Sequence, residues 1–173
     1  MKEINKNRIK EKLYGLFPSI LLILSVLNEF DFNSLGLKYF SFNFSYILIF
    51  YYSLKKKESL GYILVFVAGL FNDVVVGMPI GISSLIYLLL CGAAAYLRNI
   101  TLRPSLFKDW IFFLITILIL KSIVFMLLIF IFDYEINYLD EFINVIFTFL
   151  LYLIFSYLFN FFEKIMLGMY YAR

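Results

Sequence analysis

The chain has 173 residues, of which 64% are apolar and 16% charged, against roughly 45–50% and 25% in an ordinary soluble domain. With a mean hydropathy of +0.93, its apolar surface exceeds what one globule of this length buries, so the composition indicates a membrane protein. The absence of histidine excludes triads and metal sites that need an imidazole, and the single cysteine, Cys91, excludes an intrachain disulfide.

Six apolar blocks have the length expected of membrane-spanning helices, about 20 residues or fewer where the bilayer thins. A basic segment, residues 1–13, precedes the first block; because no signal-peptide cleavage site follows that block, we interpret it as a retained helix. Nothing in the chain shows the alternation of a membrane barrel. The sequence therefore predicts an all-α integral membrane protein forming a single membrane domain, residues 1–173. Its predicted spans are residues 14–30, 39–54, 60–76, 80–97, 110–132 and 142–162.

The basic residues are distributed unevenly between the two sides of these spans. All of the 15 lysines and arginines except Lys38 and Lys121 lie before span one, after spans two and four, or at the end of the chain. The positive-inside rule then predicts that both termini are cytoplasmic. The net charge of +3 thus reflects topology, and no basic face indicates a nucleic-acid partner. The basic N-terminal segment is suited to contact anionic membrane lipids. The opposite side is acidic and carries Glu29, Asp31, Asp133, Glu135, Asp140 and Glu141.

The segment that joins the third span to the fourth contains the most informative residues. Gly77, Pro79 and Gly81 favour a tight turn, and Pro79 suits the first turn of the following helix. Asp73 lies about one helical turn before that bend, next to Asn72, at a depth where a carboxylate must be paired, hydrated or protonated. We interpret Asn72 and Asp73 as residues that bind loop or helix-end amides and fix the hairpin. A ligand or transport role and a partner-binding surface are the alternatives.

Lys121 lies near the middle of the fifth span, among apolar residues. A lysine at that depth costs about 2.5–3.5 kcal/mol on insertion scales, so we expect its side chain to face the bundle and to be paired. The depths of the two residues in their spans allow Asp73 as the partner. The alternatives are bonds to internal carbonyls or to serines such as Ser122, or an ammonium that reaches the interface.

A pattern of glycines around an aspartate and a proline occupies the middle of the chain. It reads Gly61-x7-Gly69-x3-Asp73-x3-Gly77-x-Pro79-x-Gly81, and the apolar helix that follows ends in Tyr96-Leu97-Arg98. In this pattern, in its length and in its six spans, the chain resembles the MreD family, the rod shape-determining membrane proteins of bacteria. The close match covers residues 61–98. Members often begin the second span with an Arg-Pro-Asp-like motif, and here Asn43 stands where the acidic residue would be.

This resemblance implies a non-enzymatic role without a cofactor, in the bacterial inner membrane. MreD-like proteins belong to the elongation machinery for lateral peptidoglycan synthesis. They associate with the periplasmic MreC protein and, through it, with the RodA–transpeptidase synthase and with cytoplasmic MreB filaments. The expected function is thus that of a scaffold. We expect Asp73 and the turn from Gly77 to Gly81 to set how spans three and four pack and to present their outer end to an MreC-like partner.

The family's fold is similar to the six-helix substrate-binding component of energy-coupling-factor vitamin transporters, which supplies the alternative function. Such components usually have small residues four apart in the first helix, and Leu16 to Ser25 contains no such pair. A transporter component also needs polar groups that converge on a pocket, and the sequence suggests few of them. These two features favour the scaffold over the transporter.

Overall fold

The computed structural model describes residues 16–26, 41–56, 60–101, 105–135 and 137–171, with side chains described through residue 165. The regular elements in these ranges are six helices. They are α1 (Leu16–Val26), α2 (Phe44–Lys55), α3 (Tyr62–Val76), α4 (Ile82–Ile100), α5 (Leu106–Phe132) and α6 (Tyr138–Tyr171).

The prediction of an all-helical membrane protein is confirmed for this described part of the chain. Three segments are long and apolar enough to cross a membrane, namely α4, α5 and the Tyr138–Ile165 part of α6. The apolar helices α1 and α3 are shorter. Each predicted span overlaps one helix, but six membrane crossings stay a prediction. The basic segment 1–13, the outer parts of spans one and two, and the loop charges Glu29, Asp31, Lys38 and Arg103 lie outside the described residues.

Two helix starts differ from the prediction, and both differences bear on the site. Because α4 begins at Ile82 with Gly81 as its N-cap, Pro79 lies in the turn before α4, and its predicted place in the first helical turn is wrong. The sixth helix begins at Tyr138, which places Asp140 and Glu141 in its first turn instead of the preceding loop. Acidic side chains are stabilised there by the partial positive charge of a helix N-terminus.

The second helix is the centre of the bundle. Every residue of α2 from Ser45 to Tyr52 is buried, as expected for a helix that is apolar on all sides. Phe50 of α2 packs against Phe113 of α5, with ring centroids 5.0 Å apart, and against Tyr152 of α6 at 5.8 Å. Phe113 and Tyr152 stack on each other at 4.4 Å. This aromatic cluster fixes α2 against the two long helices.

The long helices α5 and α6 present apolar side chains on the outside of the bundle. Examples are Met126 and Phe130 on α5, and Ile154 and Tyr157 on α6, each more than half exposed. An apolar surface of this extent is not stable in water, so we infer that it faces the lipid chains.

One end of the bundle, here called the basic end, is held together by lysine and arginine side chains. Lys55 at the end of α2 bonds to Asp109 at the start of α5, with Nζ 2.9 Å from Oδ2. Lys56 pairs with Glu163 of α6 at 3.2 Å. Arg98 of α4 donates from Nη1 to the Ser53 carbonyl at 2.6 Å. The opposite end contains the turn between α3 and α4 and is called the hairpin end.

Candidate functional site

At the hairpin end, α3 is terminated by a glycine in the left-handed conformation. Gly77 has φ 73° and ψ 26°, a backbone geometry that costs glycine nothing because it lacks a Cβ. The Met78 N–H then donates to the Asp73 carbonyl at 2.9 Å. This bond is the six-to-one bond of a Schellman motif, which pairs a carbonyl that the helix end would otherwise leave free.

The side chain of Asp73 closes the hairpin by capping the next helix. Its Oδ2 accepts the Gly81 N–H at 2.7 Å, and its Oδ1 accepts the Ser83 N–H at 2.8 Å. Gly81, with φ 105°, has no side chain to serve as the cap of α4, so the carboxylate of the preceding helix satisfies these amides. Asp73 is fully buried, and its charge lies at the positive end of the α4 dipole.

The two helices of the hairpin approach each other closely beneath this cap. Asn72 donates from Nδ2 to the Ser83 hydroxyl at 3.0 Å, and the Ser84 hydroxyl donates to the Phe66 carbonyl at 2.9 Å. A Cβ added to Gly69 would lie 2.4 Å from the Ser84 Cα, so only glycine fits there. The bonds of Asp73 to backbone amides are of the kind that the sequence predicts for a structural hairpin, whereas Asn72 binds a side-chain hydroxyl instead of an amide. A role toward a partner stays a prediction.

Lys121 is paired with Glu141, and not with Asp73, which the depths of the two residues in their spans had allowed as a partner. Its Nζ lies 2.6 Å from Oε2 of Glu141 and 5.7 Å from the centre of the Tyr46 ring, within range of a cation–π contact. Both oxygens of Asp73 are already bound to α4 amides. The early start of α6 brings Glu141 into the bundle. Ser122, the serine considered as an alternative partner, donates instead to the Leu118 carbonyl of its own helix.

A network of amides and hydroxyls joins the start of α2 to α6. Asn43 donates from Nδ2 to Oδ1 of Asn144 at 2.5 Å, and Asn144 donates in turn to the Ser41 hydroxyl at 3.1 Å. The Asn43 backbone N–H donates to Oγ1 of Thr148 at 2.9 Å. Sequence reasoning did not identify Asn144 and Glu141 as candidate site residues. Their signal is the i, i+3, i+7 spacing of Glu141, Asn144 and Thr148, which places one polar stripe on an otherwise apolar helix.

These polar groups surround a cavity of about 290 Å³ at the hairpin end. The sequence suggested that few polar groups converge on a pocket, and this expectation is wrong because polar residues from all six described helices meet here. A cavity that offers one ammonium, one carboxylate and several amides and hydroxyls is suited to bind a polar molecule. The polar residues that line it include Ser41, Asn43, Ser45, Asn72, Ser83, Lys121, Glu141 and Asn144.

The described residues contain no group of three or more histidine, cysteine, aspartate or glutamate side chains that could hold a metal ion. Cys91 is buried in α4 and accepts the Ser53 hydroxyl at 3.3 Å.

The fold and the hairpin end together define a helical membrane protein in which a capped hairpin, a partly buried ion pair and a polar cavity share one end of the bundle. A family model described as rod shape-determining protein MreD matches residues 10–164. The chain belongs to the MreD family and is thus a rod shape-determining membrane protein, as the resemblance of its sequence predicted. Comparison with curated proteins gives no match, and comparison with solved structures gives none either.

Proposed function

We propose that this chain is a scaffold of the bacterial elongation machinery in the inner membrane, where it supports lateral peptidoglycan synthesis and so determines cell shape. The observation that carries the proposal is the closure of the hairpin by Asp73. Both carboxylate oxygens bind backbone amides within the protein, so the aspartate holds the turn and its surface in place. A rigid hairpin of this kind is what a scaffold needs to present one fixed face to a partner.

In this proposal the basic end lies in the cytoplasm and the hairpin end lies in the periplasm. Lys55, Lys56 and Arg98 are at the basic end, as the positive-inside rule requires of a cytoplasmic side. Exposed acidic residues, Asp133 and Asp140, lie near the other end. The N- and C-termini are then both cytoplasmic.

The proposed partner at the hairpin end is an MreC-like periplasmic protein, through which the chain is linked to the RodA–transpeptidase synthase and to MreB filaments. Ile80, at the tip of the turn between Gly77 and Gly81, is three-quarters exposed. A large apolar side chain held out by a rigid turn is a suitable anchor for a protein interface. Asp73 and Gly81 then act on the partner indirectly, because they fix the position of Ile80.

Replacement of the chain in its host by an Ile80→Asp variant tests this role. The charged tip should reduce copurification of the MreC-like protein by about tenfold and should produce rounded or widened cells at a normal level of the variant. Ile100→Asp is the matched control, because Ile100 is an exposed isoleucine at the basic end. Normal cell shape after depletion of the chain would refute the scaffold role. If the Ile80→Asp variant still copurifies normally with the MreC-like protein, only the assignment of the hairpin surface as the binding site would be refuted.

The orientation has its own test in a chain with Cys91 replaced by alanine. A cysteine placed at Asn137 should react with a membrane-impermeant reagent added from outside, and one placed at Lys56 should not. The reverse labelling would place the hairpin end in the cytoplasm and exclude a periplasmic partner there.

The cavity favours a second candidate, the substrate-binding component of an energy-coupling-factor-type vitamin transporter. A cavity of 290 Å³ is at the lower end of the size of small-molecule sites. Depletion separates the two functions: a host that keeps its shape but loses uptake of one vitamin would support the transporter, whereas rounded cells with normal uptake support the scaffold.

A further inference from the structure

The polar cavity shares a wall with a second hollow on the outside of the bundle. This second hollow, here called the α5–α6 groove, has a volume of about 380 Å³. Lys121, Phe125 and Glu141 line both the cavity and the groove. The ion pair of Lys121 and Glu141 therefore stands between a polar interior and the outer surface of the two long helices.

The α5–α6 groove is apolar and open to the lipid. Apart from the ion pair, it is lined mainly by large apolar side chains, among them Leu118, Leu139, Phe142 and Val145. Leu118 and Phe142 are about half exposed or more. Leu118 lies about one helical turn farther from the hairpin end than Lys121, and Val145 about one turn farther than Glu141. Ser122, Phe125, Tyr138 and Leu139 line the groove nearer the hairpin end than the ion pair, so the groove extends along α5 and α6 in both directions from it.

We propose that the cavity and the groove together form a binding site for one zwitterionic phospholipid. The headgroup occupies the polar cavity, and an acyl chain lies in the α5–α6 groove. The shared wall favours a lipid over a free polar molecule, because only an amphipathic ligand fills both hollows.

The charges of the wall select the headgroup. Nζ of Lys121 lies 2.6 Å from Oε2 of Glu141. A zwitterionic headgroup replaces this one ion pair by two ion pairs with the lipid. Its phosphate pairs with the Lys121 ammonium, and its amine pairs with the Glu141 carboxylate. An anionic lipid satisfies Lys121 alone and adds a like charge beside Glu141. Phosphatidylethanolamine carries both groups that the site requires.

Native mass spectrometry of the full chain, released from detergent, tests the proposal directly. The probes are dioleoyl phosphatidylethanolamine, dioleoyl phosphatidylglycerol and free phosphoethanolamine. One phosphatidylethanolamine should stay bound after other lipids are stripped, with retention about tenfold above that of phosphatidylglycerol. Equal retention of the two lipids would overturn the headgroup selection. Binding of phosphoethanolamine as strong as that of the lipid would overturn the role of the groove.

The charge variant should remove both members of the ion pair at once, because a single substitution leaves an unpaired buried charge. In Lys121→Met with Glu141→Gln, retention of phosphatidylethanolamine should fall by about tenfold. The matched control is Lys55→Met with Asp109→Asn, which neutralises the ion pair at the basic end and should leave retention unchanged. An equal fall in both double variants would show that the lipid is not held by Lys121 and Glu141.

A second variant tests the groove without changing a charge. Leu118→Trp should fill the α5–α6 groove and reduce phosphatidylethanolamine retention. Ile119→Trp is its control, because Ile119 is a neighbouring exposed residue that does not line the groove. Retention that is the same in both tryptophan variants would refute the placement of the acyl chain. All of these measurements use purified protein, so their failure leaves the scaffold proposal untouched.

Discussion

The basic end and the hairpin end both depend on charged side chains, but they place those charges in different surroundings. At the basic end, Lys55 keeps a quarter of its side chain exposed and Lys56 nearly half, although Asp109, the partner of Lys55, is buried. At the hairpin end, Asp73 is fully buried and Lys121 is 12% exposed. A charge that reaches water can be rehydrated when its partner is lost, whereas a buried one cannot. Charged residues of the hairpin end should therefore tolerate the loss of a partner less well than Lys56, which is nearly half exposed.

The difference also concerns what the charges bind. The ions of the basic end bind other side chains or one carbonyl, so each links two helices at a single point. Asp73 instead binds two backbone amides of α4, and these fix both the start of that helix and its distance from α3. Loss of Asp73 should thus change the geometry of the turn, while loss of a basic-end pair should only loosen a contact.

The largest effect is expected for Asp73→Leu. It leaves the Gly81 and Ser83 amides without an acceptor in a buried site, and we expect it to lower the free energy of unfolding by about 4 kcal/mol. Asp73→Asn retains one acceptor and should cost about half as much. Unfolding by sodium dodecyl sulfate, followed by circular dichroism, measures both values. A Leu variant as stable as the wild type would contradict the capping role.

The next effect is that of Glu141→Gln, which leaves the Lys121 ammonium unpaired. The expected loss is about 3 kcal/mol, at the lower end for a buried pair because Glu141 is partly exposed. Addition of Lys121→Met should restore most of the loss, and the same titration measures it. Without such a rescue, the ion pair would not be the cause of the instability.

Gly69→Ala should produce a smaller loss, about 2 kcal/mol, because the new Cβ would collide with the Ser84 backbone and force α3 and α4 apart. Gly92→Ala is the control. Gly92 lies within α4 and has open space around it, so alanine there should be neutral or stabilising by up to about 1 kcal/mol. The thermal unfolding midpoints of the two variants, measured in the same detergent, compare their stabilities. Similar midpoints would contradict the close approach of Gly69 to the Ser84 backbone.

The smallest effect is expected at the basic end. Lys56→Met breaks an ion pair whose lysine is nearly half exposed, and it should change stability by about 0.5 kcal/mol or less. High salt, which screens exposed ion pairs, should likewise change the stability of the wild-type protein little through the pair of Lys56 and Glu163. If Lys56→Met were as damaging as Glu141→Gln, the contrast between the two ends would be wrong.

The features that the sequence predicts correctly are those set by composition or by neighbours in the chain. The helical membrane fold follows from apolar content, because lipid leaves the backbone no other partners. The turn at Gly77 and the bonds of Asp73 connect residues at most ten apart, so their roles can be inferred from local spacing. The family resemblance rests on this same segment.

The features that the sequence does not predict depend on how separate helices are placed. The partner of Lys121 could not be identified from the sequence because it depends on where α6 begins. A shift of one turn in that start moves Glu141 from a loop into the bundle. The bond between Asn43 and Asn144 joins residues 101 apart. Local spacing carries no information on such a pair, nor therefore on the cavity that both residues line.

The central position of α2 has a consequence for the order in which the protein is assembled. At 12 residues the helix is about 18 Å long, shorter than the hydrocarbon core of about 30 Å, and its surroundings are protein on all sides. Two of the helices against which Phe50 packs, α5 and α6, are synthesised after it. The second helix therefore reaches its final place only when the last third of the chain has entered the membrane, and a chain truncated before α5 should be recognised as incomplete and degraded.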